Sequence, residues 1–156
     1  MVSETSQNID MDQKNSFGVL SYFMSTIRSV TQATPFHYEI IADNTTYDGE
    51  AILILVLNGK FIGTRELPVP SISSNDGKLD VLIVKNSTLA SFRELLSMNN
   101  PNIDAAQLNE LDYFQAADLK VTADRHQDID MDGEIHETTP AEITILPGRI
   151  RMVWGG

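Results

Sequence analysis

Hydrophobic positions along this chain follow two rhythms. Between Phe17 and Val30 they return every three or four residues, at Phe17, Leu20, Met24 and Ile27, with Tyr22, Phe23 and Val30 widening the stripe. That spacing predicts an amphipathic helix over roughly Asn15 to Thr31, stopped before Pro35. From Phe36 the rhythm becomes two. Phe36, Tyr38 and Ile40 alternate with His37 and Glu39, the signature of a half-buried strand. Asp43 to Thr46 is a turn cluster, and Asp48-Gly49-Glu50 reads as a further turn. Ala51 to Leu57 is an unbroken apolar run of seven, which predicts a returning strand buried on both faces and therefore central.

The segment Asn58 to Lys78 holds Gly59, Gly63, Gly77, Pro68 and Pro70 and predicts a long irregular connection, the kind of segment that tends to carry function. Leu79 to Val84 suits another strand. Thr88 is a candidate N-cap for a short helix to Met98, with Leu89, Phe92, Leu95 and Leu96 on one side. After the break at Asn99 to Asn102, strands are predicted over Leu111–Ala123, Gln127–Met131, Ala141–Leu146 and Arg149–Trp154. Pro147-Gly148 joins the last two as a hairpin. The predicted fold is mainly β, an antiparallel β-sandwich with two or three attached helices, in one domain over residues 1–156.

Composition narrows the function classes. The longest apolar run is seven residues against the ~20 that a membrane-spanning helix needs. The first residues have neither a basic start nor an apolar core, so no secretory signal is expected. With 22 acidic and 11 basic residues the net charge is −11, which repels phosphate backbones and argues against nucleic acid as a partner. The absence of cysteine removes disulfides, thiolate nucleophiles and Cys-ligated zinc, and fits a cytoplasmic setting.

Candidate chemistry concentrates in two places. Asp124 to Glu137 holds six carboxylates in fourteen residues. Asp128, Asp130, Asp132 and Gly133 match positions 1, 3, 5 and 6 of a calcium loop, but position 12 is Thr139 rather than a bidentate Glu. One reading is therefore a calcium-binding, non-enzymatic β-sandwich; the plainer one is a solvated hairpin turning at Asp132-Gly133. The second place is Asn75-Asp76-Gly77, just before a strand. It is a turn signal, or a lone carboxylate that holds a well-hydrated magnesium ion with help from backbone carbonyls. His37, His126 and His136 form no zinc pattern, and neither a Gly-rich phosphate loop nor a serine elbow is present.

The order of these features resembles the C-terminal half of the diacylglycerol kinase and sphingosine kinase family, in its bacterial soluble branch. The resemblance rests on Phe17–Tyr22, Ala51–Gly59, Asn75–Val84, Asp130–Glu134 and Thr139–Arg151, and so covers nearly the whole chain. It implies an ATP- and magnesium-dependent kinase acting on the hydroxyl of a neutral lipid such as diacylglycerol. By the same resemblance Glu134 matches the proton acceptor, Asp132 its supporting acid, and Asp76, Ser73 and Lys78 the Mg2+ site. Lys78 could give only its backbone carbonyl, since an ammonium cannot ligate a cation. Two departures accompany the match. Residues Lys60–Pro68 stand where many relatives have consecutive glycines, and the family's N-terminal, nucleotide-binding half with its Gly-Gly-Asp-Gly-Thr loop is absent. The isolated chain is therefore expected to be inactive. The expected setting is cytoplasmic, with peripheral contact at the inner face of the membrane. Expected partners are the neutral lipid, ATP and, for assembly, a second copy of the chain.

Overall fold

The computed structural model describes residues 34–62, 65–67, 72–98, 100 and 102–150. The period-two pattern becomes strand β1 (Phe36–Ala42), with Phe36, Tyr38, Ile40 and Ala42 buried and the residues between them exposed. The chain turns at Asp43-Asn44. Asp43 adopts a left-handed φ of 51°, and its Oδ1 accepts the backbone N–H groups of Ala117 and Asp118 at 3.1 and 3.0 Å. These bonds join the turn to the start of a strand 75 residues on and help to hold the aspartate in that conformation.

Strand β2 (Thr45–Ala51) returns antiparallel to β1, with Gly49 opposite Tyr38. Asp48-Gly49-Glu50 therefore lies inside a strand, against the turn predicted for it. Its polar composition follows from position, because β2 is an edge strand of its four-stranded sheet, beside β1, and is largely exposed. The other members of this sheet are β8 (Asp118–Ala123) and β11 (Ala141–Thr144).

A second sheet contains β3 (Leu53–Leu57), β6 (Leu79–Val84) and β7 (Leu111–Ala116), with β6 in the middle. The central strand is thus β6, whose six residues are all buried, and not the run ending at Leu57, which bends at Ile52 and forms an edge. The continuous stretch predicted from Leu111 to Ala123 is likewise two strands, broken at Ala117 where the chain crosses from one sheet to the other.

The two sheets pack face to face. Leu79, Val81 and Ile83 of β6 meet Phe36, Tyr38, Ile40, Leu119 and Val121, and the Tyr47 and Phe114 rings stack at 3.9 Å. The opposite face of β6 belongs to another core, in which Leu82 and Val84 join Leu57, Ile72, Leu95, Met98 and Leu111. Helix α1 (Leu89–Ser97) covers this side. Thr88 caps it, its hydroxyl accepting the Ser91 N–H at 3.2 Å within a capping box. Glu94 then ties the helix to β7 by accepting the backbone N–H groups of Asn109, Glu110 and Leu111.

Within the long connection the backbone forms a small ladder, β4 (Phe61–Ile62) with β5 (Arg65–Glu66). Strands β9 (Asp128–Met131) and β10 (Glu134–Thr138) make a separate two-stranded hairpin. The architecture is an antiparallel β-sandwich, with one α-helix and one 3-10 turn (Ala105–Gln107) among the described residues. The helix predicted over residues 15–31 lies outside them, as does most of the strand predicted to Trp154; Arg149 and Ile150 are described and are not in a strand.

Candidate functional site

At the end of β3 the surface opens into a cleft of about 760 Å3. Val56 to Phe61 form one wall and Ile72 to Ser74 another, and Asp132, from the tip of the β9–β10 hairpin, also lines it. The fold thus brings together two segments that sequence reading singled out separately. Backbone geometry explains how Asp132 reaches this position. Asp132 and Gly133 have φ of 55° and 93°, the pair of positive values a two-residue hairpin turn needs. Asp130 secures the turn by accepting the Gly133 N–H at 2.7 Å.

Glu134 follows on β10 and is exposed, its carboxylate 3.4 Å from the His136 imidazole. It is not among the residues lining the cleft. Asp128 and Asp130 lie in a strand rather than in a loop between helices, and Thr139 is used in the protein's own bonding, accepting the Gln127 N–H at 3.0 Å.

Asp76 sits in the loop that enters β6. Its Oδ1 accepts the Lys78 N–H at 3.0 Å, an Asx-type turn, and its Oδ2 accepts from Gln115 Nε2 at 3.3 Å. Gly77 supplies a φ of 73° beside them, with the Pro147 ring packed against it. The Ser73 hydroxyl donates to Asn75 Oδ1 at 2.7 Å, a bond that orients the hydroxyl and leaves its oxygen lone pairs open.

One participant was not singled out by sequence. Asp80 is fully buried in β6, and its Oδ1 accepts from Tyr113 Oη at 2.5 Å and Gln115 Nε2 at 2.9 Å. Its Oδ2 has no partner among the described residues. Burial pushes the Asp80 carboxyl above the usual carboxylate range, against the pull of the Tyr113 and Gln115 hydrogen bonds; the Asp76 charge adds to the rise. The available signal was a charged residue inside the apolar strand Leu79–Val84.

No three His, Cys, Asp or Glu side chains converge as a metal-holding group among the described residues. What the Asp76 loop does offer is a single carboxylate, tied to the Lys78 N–H and Gln115, and a lone carboxylate suits a hard cation that keeps most of its own waters. A buried carboxylate oxygen lacking a donor beside that loop is consistent with positive charge nearby.

Residues 2–154 match the family described as the YegS C-terminal NAD kinase beta sandwich-like domain. The chain is 29% identical over 157 residues to the "Putative lipid kinase SaurJH9_0749" of Staphylococcus aureus strain JH9, covering 98% of this chain and 50% of that protein. The crystal structure of "a putative diacylglycerol kinase" from Bacillus anthracis strain Sterne matches with a TM-score of 0.68 at 29% identity, over 83% of this chain and 44% of that one. A second structure of that description matches at 0.65 and 30% identity, over 90% and 47%. The chain spans about half the length of the curated relatives it matches.

Proposed function

The chain belongs to the family of YegS C-terminal, NAD kinase β-sandwich-like domains, and we propose that it is the C-terminal half of an ATP- and magnesium-dependent kinase for diacylglycerol or a related neutral lipid. The observation that carries this reading is the cleft where Asp132 meets the loop of Ser73. Phosphoryl transfer asks a protein mainly for positioning and charge neutralisation, and these two segments offer one contribution each.

Glu134 accepts the proton of the lipid hydroxyl, and Asp132, at the turn beside it, adds negative charge that favours the proton's transfer. Exposure of Glu134 on a hairpin suits a base whose second reactant arrives from outside this half. The Asp76 carboxylate, with Ser73 and the backbone carbonyl of Lys78, would hold magnesium. Magnesium held by these residues would supply positive charge against that of the phosphates. ATP is held mainly by a nucleotide-binding half beyond this chain. On this reading the lipid is reached by peripheral contact; among the described residues no helix is long and apolar enough to cross a membrane.

The test is transfer of label from γ-labelled ATP to diacylglycerol in mixed micelles, by the chain alone and by a longer protein that joins it to a nucleotide-binding half. The longer protein should label the lipid in a magnesium-dependent way, and the chain alone should not. Turnover by residues 1–156 alone, with contaminating kinase excluded, would sink this division of labour. An inert longer protein that binds ATP would sink the lipid-kinase reading.

A further inference from the structure

On the face of the second sheet turned toward α1, β6 presents Asp80, Leu82 and Val84, and β7 sets Gln115, Tyr113 and Leu111 directly opposite them. Four of these six side chains are ordinary core. Asp80 and Gln115 are not, and they sit at the end of the sheet nearest the Asp76 loop. For stability alone an aliphatic residue would serve better at Asp80, since a buried carboxylate with an unpartnered oxygen is costly. The residue therefore invites an account beyond packing.

Gln115 supplies the connection. Its amide nitrogen carries two hydrogens and has two carboxylate acceptors, Asp80 Oδ1 at 2.9 Å and Asp76 Oδ2 at 3.3 Å. Asp80 is itself fixed, because it belongs to the fully buried central strand and also receives the Tyr113 hydroxyl. The Asp76 carboxylate is thereby held on both sides, by the Lys78 N–H within its own loop and by Gln115 from the sheet. An otherwise exposed loop carboxylate acquires the rigidity of the core.

We infer that Asp80 and Gln115 are positioning residues for a cation at Asp76. Gln115 transmits the orientation of the sheet to the ligating carboxylate, and Asp80 Oδ2, which has no donor among the described residues, takes one from a water carried by the hydrated ion. This rests on the magnesium reading of Asp76 given above. Outer partners of this kind commonly change metal affinity by ~10- to 100-fold when removed.

The experiment titrates Mg2+ into the 156-residue chain and follows both the melting temperature and the heat of binding. A site on the native state raises the melting temperature with ion concentration. Gln115→Met keeps most of the side chain's volume and loses the donor. It should melt near the unmodified chain without magnesium, yet need ~10-fold more Mg2+ or beyond for the same rise. Asp80→Asn should melt no lower without the ion and show a similar loss of affinity. If either variant changes the melting temperature alone and binds Mg2+ like the unmodified chain, its residue is structural and that part of the inference is overturned. Should Asp80→Asn fail to fold, Gln115→Met decides alone. Asp76→Ala separates the two levels of the argument: it should abolish the response. An unmodified chain that ignores Mg2+, or an Asp76→Ala variant that responds normally, overturns the magnesium reading itself and this inference with it.

Discussion

The tripeptide Asp-Gly-Glu occurs twice, at Asp48–Glu50 and at Asp132–Glu134, and the fold makes different objects of the two copies. The first runs straight through an edge strand, with Gly49 facing the Tyr38 ring across the ladder. A β-carbon at Gly49 would lie 3.3 Å from the Tyr38 hydroxyl oxygen, so glycine is there to make room. The second copy is a reversal. Gly133 has open space around it and is there for its positive φ. One glycine answers to a neighbour, the other to the backbone. The same three residues thus place Glu50 on the edge of a packed sandwich and Glu134 on a free-standing hairpin beside the cleft.

The largest effect expected from this contrast is catalytic. In the longer lipid kinase proposed above, Glu134→Gln should lower kcat by ~100- to 10,000-fold, the usual contribution of a general base, with little change in melting temperature. Glu50→Gln should stay within a small factor of the unmodified enzyme. Equal losses, measured side by side at saturating ATP and lipid, would erase the distinction between the copies.

Next in size is a pH effect at the first copy. Burial, followed by the nearby Asp112 and Asp48 charges, pushes the Tyr38 phenol up to about 12 from its ordinary 10.0. The folded protein therefore holds this proton more tightly than the unfolded chain does. The associated stability, on the order of 3 kcal/mol, is fully present below pH ~10 and is lost as pH rises toward ~12. Denaturant unfolding across that range should show the decline, and Tyr38→Phe should flatten it. An unchanged alkaline limb in Tyr38→Phe would place the loss elsewhere.

Smaller, at ~1 kcal/mol, is the cost of placing a side chain at φ 93°. Gly133→Ala should loosen the β9–β10 amides in hydrogen exchange and leave those of β6 unaffected. Gly49→Ala should instead perturb Tyr38 and shift its titration. Uniform loosening in Gly133→Ala would mean that the hairpin is coupled to the sandwich. The smallest effect is that of Glu50→Gln on stability, within ~0.5 kcal/mol by thermal melting, as suits an exposed edge position.

Local chemistry was legible where one physical cause dominated. Phe36, Tyr38 and Ile40 bury one face and declare it by alternation, and Thr88 announces its helix by the bond it makes to Ser91. Ambiguity arose where two causes give the same letters. An edge strand exposed to water and a turn are both polar, so Asp48-Gly49-Glu50 read as a turn. The central strand carries a buried aspartate, so its apolar run looked shorter than that of Ala51 to Leu57, which is an edge with half-exposed residues. Asp80 could be flagged as an anomaly from sequence, but its tie to Asp76 runs through Gln115, 35 and 39 residues away, a contact that only tertiary structure creates.

The pairing of β1 also sets the order in which the protein can assemble. One edge of β1 is satisfied at once by β2, across a two-residue turn. The other edge waits for β8, whose end is marked by the reciprocal bonds of His37 and Asp124, 87 residues apart. At ~5–20 residues per second of synthesis, that edge stays bare on the ribosome for on the order of ten seconds. Through that interval an unpaired row of backbone groups lies beside the greasy face of Phe36, Tyr38 and Ile40, the combination that invites mispairing with other chains. That edge of β1 is covered only when Asp118 to Ala123 emerge, and the sheet is complete only when Ala141 to Thr144 follow.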